Sequence, residues 1–490
     1  MRLILPGSRW PLFGLAAALR LVHLQAPILG VHSWRQADTA ALARNAYEQG
    51  LPFWLPQVDW GGVGSGIAET DPPIYSMAVA LLYQLAGPHE WLARGLSLLF
   101  SLAALWLLLR LGEQLLGAEA GWWGGLFFAV LPLSVFYGRT VQPESLLLFC
   151  AALALERGLA WRMRGRPLDL ALAGIGLAAA VLIKVLPLFW LGLPLLWLAW
   201  LRYGKNLWRR WEIWLTLALV LALSVGWYAH AHQIFLQTGL SFGFWGAGAN
   251  RYSWGDLLGF SYWGEILLRS SLRGLALFGL PLLLLGLLLP RQSAEEWLLS
   301  IGLAGVLLAG ALAPGSSRVH EYYQLPALLF VCPLLGKAWV NLWHRAQRRG
   351  RALLRAGLAL LMAVSLAVLS LDYWRQESTG GNATWALAQK VQRQTPSGAK
   401  IVSVTGGDPT LLYLAHRKGW LADPSVVNTT WLNERAREGA THVAGSWEVI
   451  QSYAPFAAGA EKTRLQRLLG AADNYVVPLP INDAPDPPKR

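Results

Sequence analysis

Apolar residues run almost unbroken for about 20 positions at a time along most of this chain. The runs lie near 9–29, 94–114, 120–137, 143–161, 167–183, 185–201, 212–232, 272–290, 296–313, 321–340 and 355–372. Each is the length of a helix that crosses hydrocarbon with its backbone polar groups satisfied internally. The pattern predicts about eleven spans. Residues 167–201 suffice for two crossings, with Lys184 and Pro187 marking the turn between them. The first run is followed by no small-residue cleavage site and reads as a retained anchor.

Residues 72–87 are apolar but short for a span, and charge decides how to read them. If they do not cross, the clusters Arg162/Arg164/Arg166, Arg202/Lys205/Arg209/Arg210 and Arg345/Arg348/Arg349/Arg351 all face the cytoplasm. That is the orientation basic loops favour. The segment therefore reads as a re-entrant or interfacial helix in a large first outer loop, with the N-terminus inside and the C-terminus outside.

After Tyr373 the pattern changes to short alternating runs. Lys400–Val404 reads as a strand, Gly406–Pro409 as a turn, Thr410–His416 as a helix and Thr441–Ala444 as another strand. The division is a transmembrane domain over 1–372 and an extracytoplasmic α/β domain over 373–490. Its Pro-rich end, 478–490, reads as a frayed tail.

Composition agrees with a membrane protein: 55% of residues are hydrophobic and 14% charged, against about 25% charged in soluble domains. The net charge of +13 does not point to nucleic acid, because the arginines sit in short loops and no basic surface is interleaved with exposed aromatics. Cys150 and Cys332 each lie inside an apolar run, as buried small side chains. The 27 tryptophans suit membrane–water interfaces. His230 and His232, two apart, would not share a helical face. Asn382-Ala-Thr384 and Asn428-Thr-Thr430 match the glycosylation acceptor, a pattern frequent by chance.

The expected outer loops hold Arg35, Asp38, Glu69, Asp71, Arg94, Arg139, Glu144, Lys184, His320, Tyr322 and Tyr323. Such a mixture suits an enzyme acting on an anionic lipid donor, with cations for the phosphate and a carboxylate for the acceptor proton. The segment His32–Thr39 is the most informative. Arg35 and Asp38, three apart, share one side of a helix starting there; the plain alternative is a surface ion pair. For the others, Arg139 and Glu144 pairing across a loop, Lys184 reaching to the interface and an aromatic belt at His320, Tyr322 and Tyr323 stand as structural alternatives.

These segments resemble the GT-C glycosyltransferases, the protein O-mannosyltransferases and bacterial lipid A aminoarabinose transferases in particular. Asp38 with Ala41-Leu-Ala-Arg-Asn45 is similar to their first outer loop, and Asp71-Pro-Pro-Ile-Tyr75 to their Pro-Pro segment. Gly87–Arg94, Gly138–Glu144 and His320–Pro326 are similar to their later motifs, with Glu144 where Asp is commoner. A Glu-Lys pair precedes the prolines in the aminoarabinose transferases; here Thr70 and Asp71 do.

The resemblance implies an all-α polytopic membrane domain of GT-C type with a small C-terminal extracytoplasmic α/β domain. It implies an inverting transferase using a polyprenyl-phosphate sugar in a plasma membrane. Asp38 would be the general base and Glu144 a second catalytic carboxylate. Arg35, Arg94, Arg139 and Lys184 would bind the donor phosphate; Glu69, Asp71, His320, Tyr322 and Tyr323 would bind substrate. A divalent cation held by Glu144, Glu69 or Asp71 stays open. The loop 233–271, rich in Gly and aromatics (Phe242, Phe244, Trp245, Tyr252, Trp254), is a candidate cover. A transporter or flippase of a lipid-linked glycan is the alternative, and it predicts ionisable groups in mid-membrane. A structural subunit whose α/β domain binds a partner is a third reading.

Overall fold

The computed structural model describes residues 8–246, 257, 259–453, 460–470 and 472–481. It is mostly helical, with a small C-terminal sheet. Tyr252 and Trp254 of the expected cover, and most of the expected tail, lie outside the described residues. Two compact units form. One holds residues up to 24 with 91–231 and 247–374; the other holds 25–90, 232–246 and 375–490.

The larger unit contains helices α1 (Trp10–Leu21), α4 (from Glu90 to Leu116), α5 (Ala118–Val130), α6 (Pro132–Tyr137), α7 (Glu144–Arg164) and α8 (Pro167–Ile183), and later helices that include Leu328–Arg345 and Arg348–Val368. Among the described residues, four helical stretches are long and apolar enough to cross a bilayer: Glu90–Leu116, Trp211–Thr238, Glu321–Arg345 and Arg348–Glu377. Phe260–Gly274 and Gly279–Leu288 make a fifth if a pair bent by 104° is one span. The runs 120–137 and 167–201 are each divided at a proline. The run 120–137 breaks at Leu131, because Pro132 has no N–H to continue the ladder. The carbonyls orphaned there do not go unpaired. Fully buried Arg20 of α1 donates to Phe128 and Ala129 at 3.4 and 3.1 Å and to Ser134 Oγ at 2.8 Å.

Small residues set the closest helix approaches. Against α5, a Cβ at Gly336 would lie 2.1 Å from the Ala120 carbonyl oxygen; between α7 and α8, one at Gly176 would lie 2.6 Å from that of Cys150. Glycine lets helices interlock where lipid supplies no hydrophobic drive. Charge also enters the middle of α7. Glu156 of α7, buried, accepts from Arg110 and Gln114 at 2.9 and 3.0 Å, and Arg157 reaches on to Asp169 at 2.9 Å.

The second unit contains α2 (Ser33–Gln49), α3 (Ile74–Ala86) and a four-stranded sheet of β1 (Lys400–Val404), β2 (Lys418–Leu421), β3 (His442–Ser446) and β4 (Asn474–Pro478). α3 is the helix expected in 72–87. The strand order is β2-β1-β3-β4, with β1 parallel to β2 and β3 and β4 antiparallel to β3. Parallel pairing needs crossovers, which Thr410–Ala415 and Thr429–Arg437 provide. Ile401, Val402 and Val404 are all buried, as a strand covered on both faces requires. The Asn382 and Asn428 side chains accept the N–H groups of Trp385 and Trp431 at 3.0 and 2.9 Å. The Asn-x-Thr patterns are therefore helix caps. Cys150 and Cys332 are buried and free.

Candidate active site

In the second unit, α2 starts directly after His32, which takes a left-handed backbone at φ 52°. The first turns of α2 carry Arg35 and Asp38, both buried. Asp38 accepts the Trp60 indole N–H at 2.9 Å. Burial holds its carboxyl well above the usual carboxylate range; the Trp60 bond and nearby Arg35 oppose that shift, while Asp59 and Asp408 add to it. A carboxylate placed so is a stronger proton acceptor than one in water.

Arg35 donates to the Phe242 carbonyl at 3.0 Å, reaches Asp71 at 3.3 Å and lies 4.2 Å from the Phe242 ring centre. Trp34 meets the same ring edge-on. Phe242 is brought there by Glu69, whose backbone exchanges hydrogen bonds with Leu240 and Phe242. The Glu69 carboxylate accepts from the Ser241 hydroxyl and from the N–H groups of Gly243 and Phe244, the latter two at 3.2 and 2.7 Å. Glu69 thus organises residues 240–246, a task that spacing along the chain does not reveal. Arg35, Asp38, Glu69 and Asp71 are gathered into one neighbourhood.

Sequence reasoning did not single out Trp60, Asp59 or Asp408. Asp59 is buried, pairs with Arg44 at 2.5 Å and accepts from Asn45 at 3.0 Å. The local signal was a charged residue beside Trp60 and two glycines, a pattern without meaning until the loop folds against α2.

The larger unit gathers a second set. α8 ends at Ile183, and Lys184 takes extended backbone before Pro187 restarts a helix. The Lys184 ammonium meets Glu144, first residue of α7, at 2.5 Å, and lies 4.3 and 5.0 Å from the Tyr322 and Tyr323 ring centres. His320 stacks on Tyr322 with 3° between planes. Lys184 is therefore turned to Glu144 and the aromatics, and five of the expected residues form one cluster. Arg139, fully buried just after α6, lies 5.6 Å from the Phe136 ring centre, and Arg94, fully buried in α4, donates to the His23 carbonyl at 2.7 Å. Glu321, inside the same motif, accepts from Tyr137 and Tyr373 at 2.9 and 2.8 Å and from Arg273 at 2.5 Å. Among the described residues, no three His, Cys, Asp or Glu side chains converge as a metal site.

Residues 70–230 match the family described as dolichyl-phosphate-mannose-protein mannosyltransferase. Nearly the whole chain is similar to ArnT from Cupriavidus metallidurans bound to undecaprenyl phosphate, with a TM-score of 0.62 at 15% identity, over 96% of this chain and 97% of that one. The fold is that of the GT-C glycosyltransferases. The GT-C likeness extends to the archaeal oligosaccharyltransferase AglB from Archaeoglobus fulgidus, in complex with an inhibitory peptide and a dolichol-phosphate. There the TM-score is 0.56 at 14% identity, over 94% of this chain and 72% of that one. It extends also to the mycobacterial arabinofuranosyltransferase AftD, at 0.51 and 16%, over 90% of this chain and 35% of that one. No curated protein matches the chain by sequence.

Proposed function

We propose that this protein is an integral membrane glycosyltransferase that moves a sugar from a polyprenyl-phosphate carrier to an extracytoplasmic acceptor, with inversion. The observation that carries the reading is Asp38: a buried carboxylate of raised basicity at the start of α2, in a GT-C fold. Asp38 takes the proton of the acceptor hydroxyl or amine as that atom attacks the anomeric carbon. The bond from that carbon to the phosphate oxygen breaks, and its electron pair leaves with the lipid phosphate. Inversion follows from a single displacement.

Arg35, Arg94, Arg139 and Lys184 are the cations assigned to the leaving phosphate, whose charge is localised as the bond breaks. Glu144 is the second catalytic carboxylate and orients Lys184 through their ion pair. Asp71, His320, Tyr322 and Tyr323 are assigned to substrate; Glu69 serves through the loop it holds. About eleven spans, the cytoplasmic N-terminus, the extracytoplasmic C-terminal domain and a plasma membrane location belong to the same proposal, supported by the positions of the basic loops. Two relatives in fold were captured with undecaprenyl phosphate and a dolichol-phosphate, which supports a lipid-linked donor.

The test is transfer by the purified protein in proteoliposomes supplied with polyprenyl-phosphate sugars. Asp38→Asn is expected to lower the rate by about 10²–10⁴-fold, the scale of a positioned base, with the folded protein intact. Unchanged transfer by that variant rules out the assigned base. Movement of lipid-linked glycan across the vesicle without any transfer rules out the enzyme and favours a flippase.

A further inference from the structure

The larger unit holds a cavity of about 340 Å³ between α7, α8 and the helices Gly192–Tyr203 and Trp211–Thr238. Trp161, Leu170, Ile213 and Trp214 are among its walls. The hydroxyl of Thr216, which also lines it, donates to the Glu212 carbonyl at 2.8 Å and so makes no polar demand on the space. A pocket walled in this way takes an apolar occupant. At one end of it the chain is basic. Arg202 donates to the Trp161 and Arg162 carbonyls at 3.3 and 3.1 Å, which caps the last turn of α7. The 3₁₀ segment Gly204–Arg209 follows, and its buried Leu207 packs with Trp161 and Ala199 against Leu170 and Ile213. Trp208 of this segment stacks on Trp214, with ring centres 5.2 Å apart and 9° between planes. The basic segment is thus fastened to the cavity's own walls.

We propose that this cavity binds an anionic phospholipid, with one acyl chain between the helices and the phosphate on Lys205, Arg209 and Arg210. The charge of that end is what selects the occupant. Lys205, Arg209 and Arg210 are exposed and, among the described residues, form no ion pair with a carboxylate. The neighbouring carboxylates are engaged: Glu212 accepts the Tyr203 hydroxyl at 3.1 Å, and Glu295 pairs with Arg162 at 3.1 Å. Arg210 lies 4.3 Å from the Tyr203 ring centre, which steadies its guanidinium beside the segment. Trp208 and Trp211 are exposed on either side, as indoles at headgroup level are. Basic loops orient helices whether or not a cavity lies beside them; a basic rim built onto an apolar pocket matches a phospholipid's two halves. The site is separate from the cluster around Lys184, which stands 14 residues beyond Leu170 along α8, about 21 Å at 1.5 Å per residue. Leu188 and Phe189 also line the cavity, so the prenyl tail of a donor is the rival occupant.

The test uses the full chain in mixed micelles with phosphatidylglycerol and phosphatidylcholine of identical chains, each carrying a photoreactive diazirine on one acyl chain. Native mass spectrometry reads how much of each lipid is retained, and peptide mapping reads where it crosslinks. Phosphatidylglycerol is expected to be retained about tenfold over phosphatidylcholine, since each cation near an anionic headgroup contributes several-fold. Its crosslinks are expected in 170–177 and 213–217. The triple variant Lys205→Gln, Arg209→Gln, Arg210→Gln changes exposed side chains and is expected to bring the two lipids to equal retention. Gly192 lines the cavity, and a Cβ there would meet nothing within 4 Å. Gly192→Leu is therefore expected to fold and to lose the crosslinks by filling the space. Equal retention of both lipids by the wild type, an undiminished preference in the triple variant, or crosslinks outside those segments overturns the proposal. Displacement of phosphatidylglycerol by equimolar polyprenyl phosphate also overturns it and gives the cavity to the donor's tail.

Discussion

At the scale of single residues, two opposing influences meet on Asp38. Burial raises its hold on the proton, and the indole N–H of Trp60 lowers it by bonding the ionised form. Trp60→Phe removes that donor while keeping an aromatic ring. The acidic limb of transfer activity should then move to higher pH, and a pH series of kcat/KM on wild type and variant checks it. Of the residues legible in the sequence, Arg35 and Asp38 were found by their crowding at the end of a span, and Lys184 by its place between two apolar runs. Trp60 and Asp59 were not legible. Their roles depend on which side chain lies opposite, and no periodicity encodes that.

At the scale of elements, the helix Leu328–Arg345 lies so close to α5 that a side chain at Gly336 would strike the Ala120 carbonyl. Gly336→Leu is expected to destabilise by about 1–3 kcal/mol, the range for overpacking a filled core, with Gly336→Ala milder. A lowered Tm of the detergent-purified protein is the check, and an unchanged Tm would contradict the close approach. The apolar runs announced the helices, and Pro187 announced the break beside Lys184. The break at Pro132 was hidden within a run read as one span, because hydropathy counts proline's neighbours and not the lost N–H. What makes that break tolerable is Arg20, more than 100 residues away, whose guanidinium satisfies the freed carbonyls.

At the scale of the whole molecule, the proposed site stands on orientation, because its charged loops must face the extracytoplasmic side. Single cysteines introduced at 164 and at 438 are expected to label from opposite sides of a sealed vesicle, the second from the extracytoplasmic side. The two native cysteines are buried and should stay silent. Labelling of both positions from one side would overturn the proposed topology. The sequence alone determined that this is a helical membrane protein with a small α/β segment at its C-terminal end, since the length of apolar runs and the alternation of strands are local properties that the chain carries wherever it folds. It also marked the charged residues worth suspecting. Only the tertiary structure decided that Lys184 meets Glu144 and the Tyr322–Tyr323 pair, that Glu69 holds a loop, and that the Trp60 indole comes to bond Asp38. The reason is physical: proton affinity and ion pairing depend on distances between groups far apart in the chain, and those distances exist only after folding.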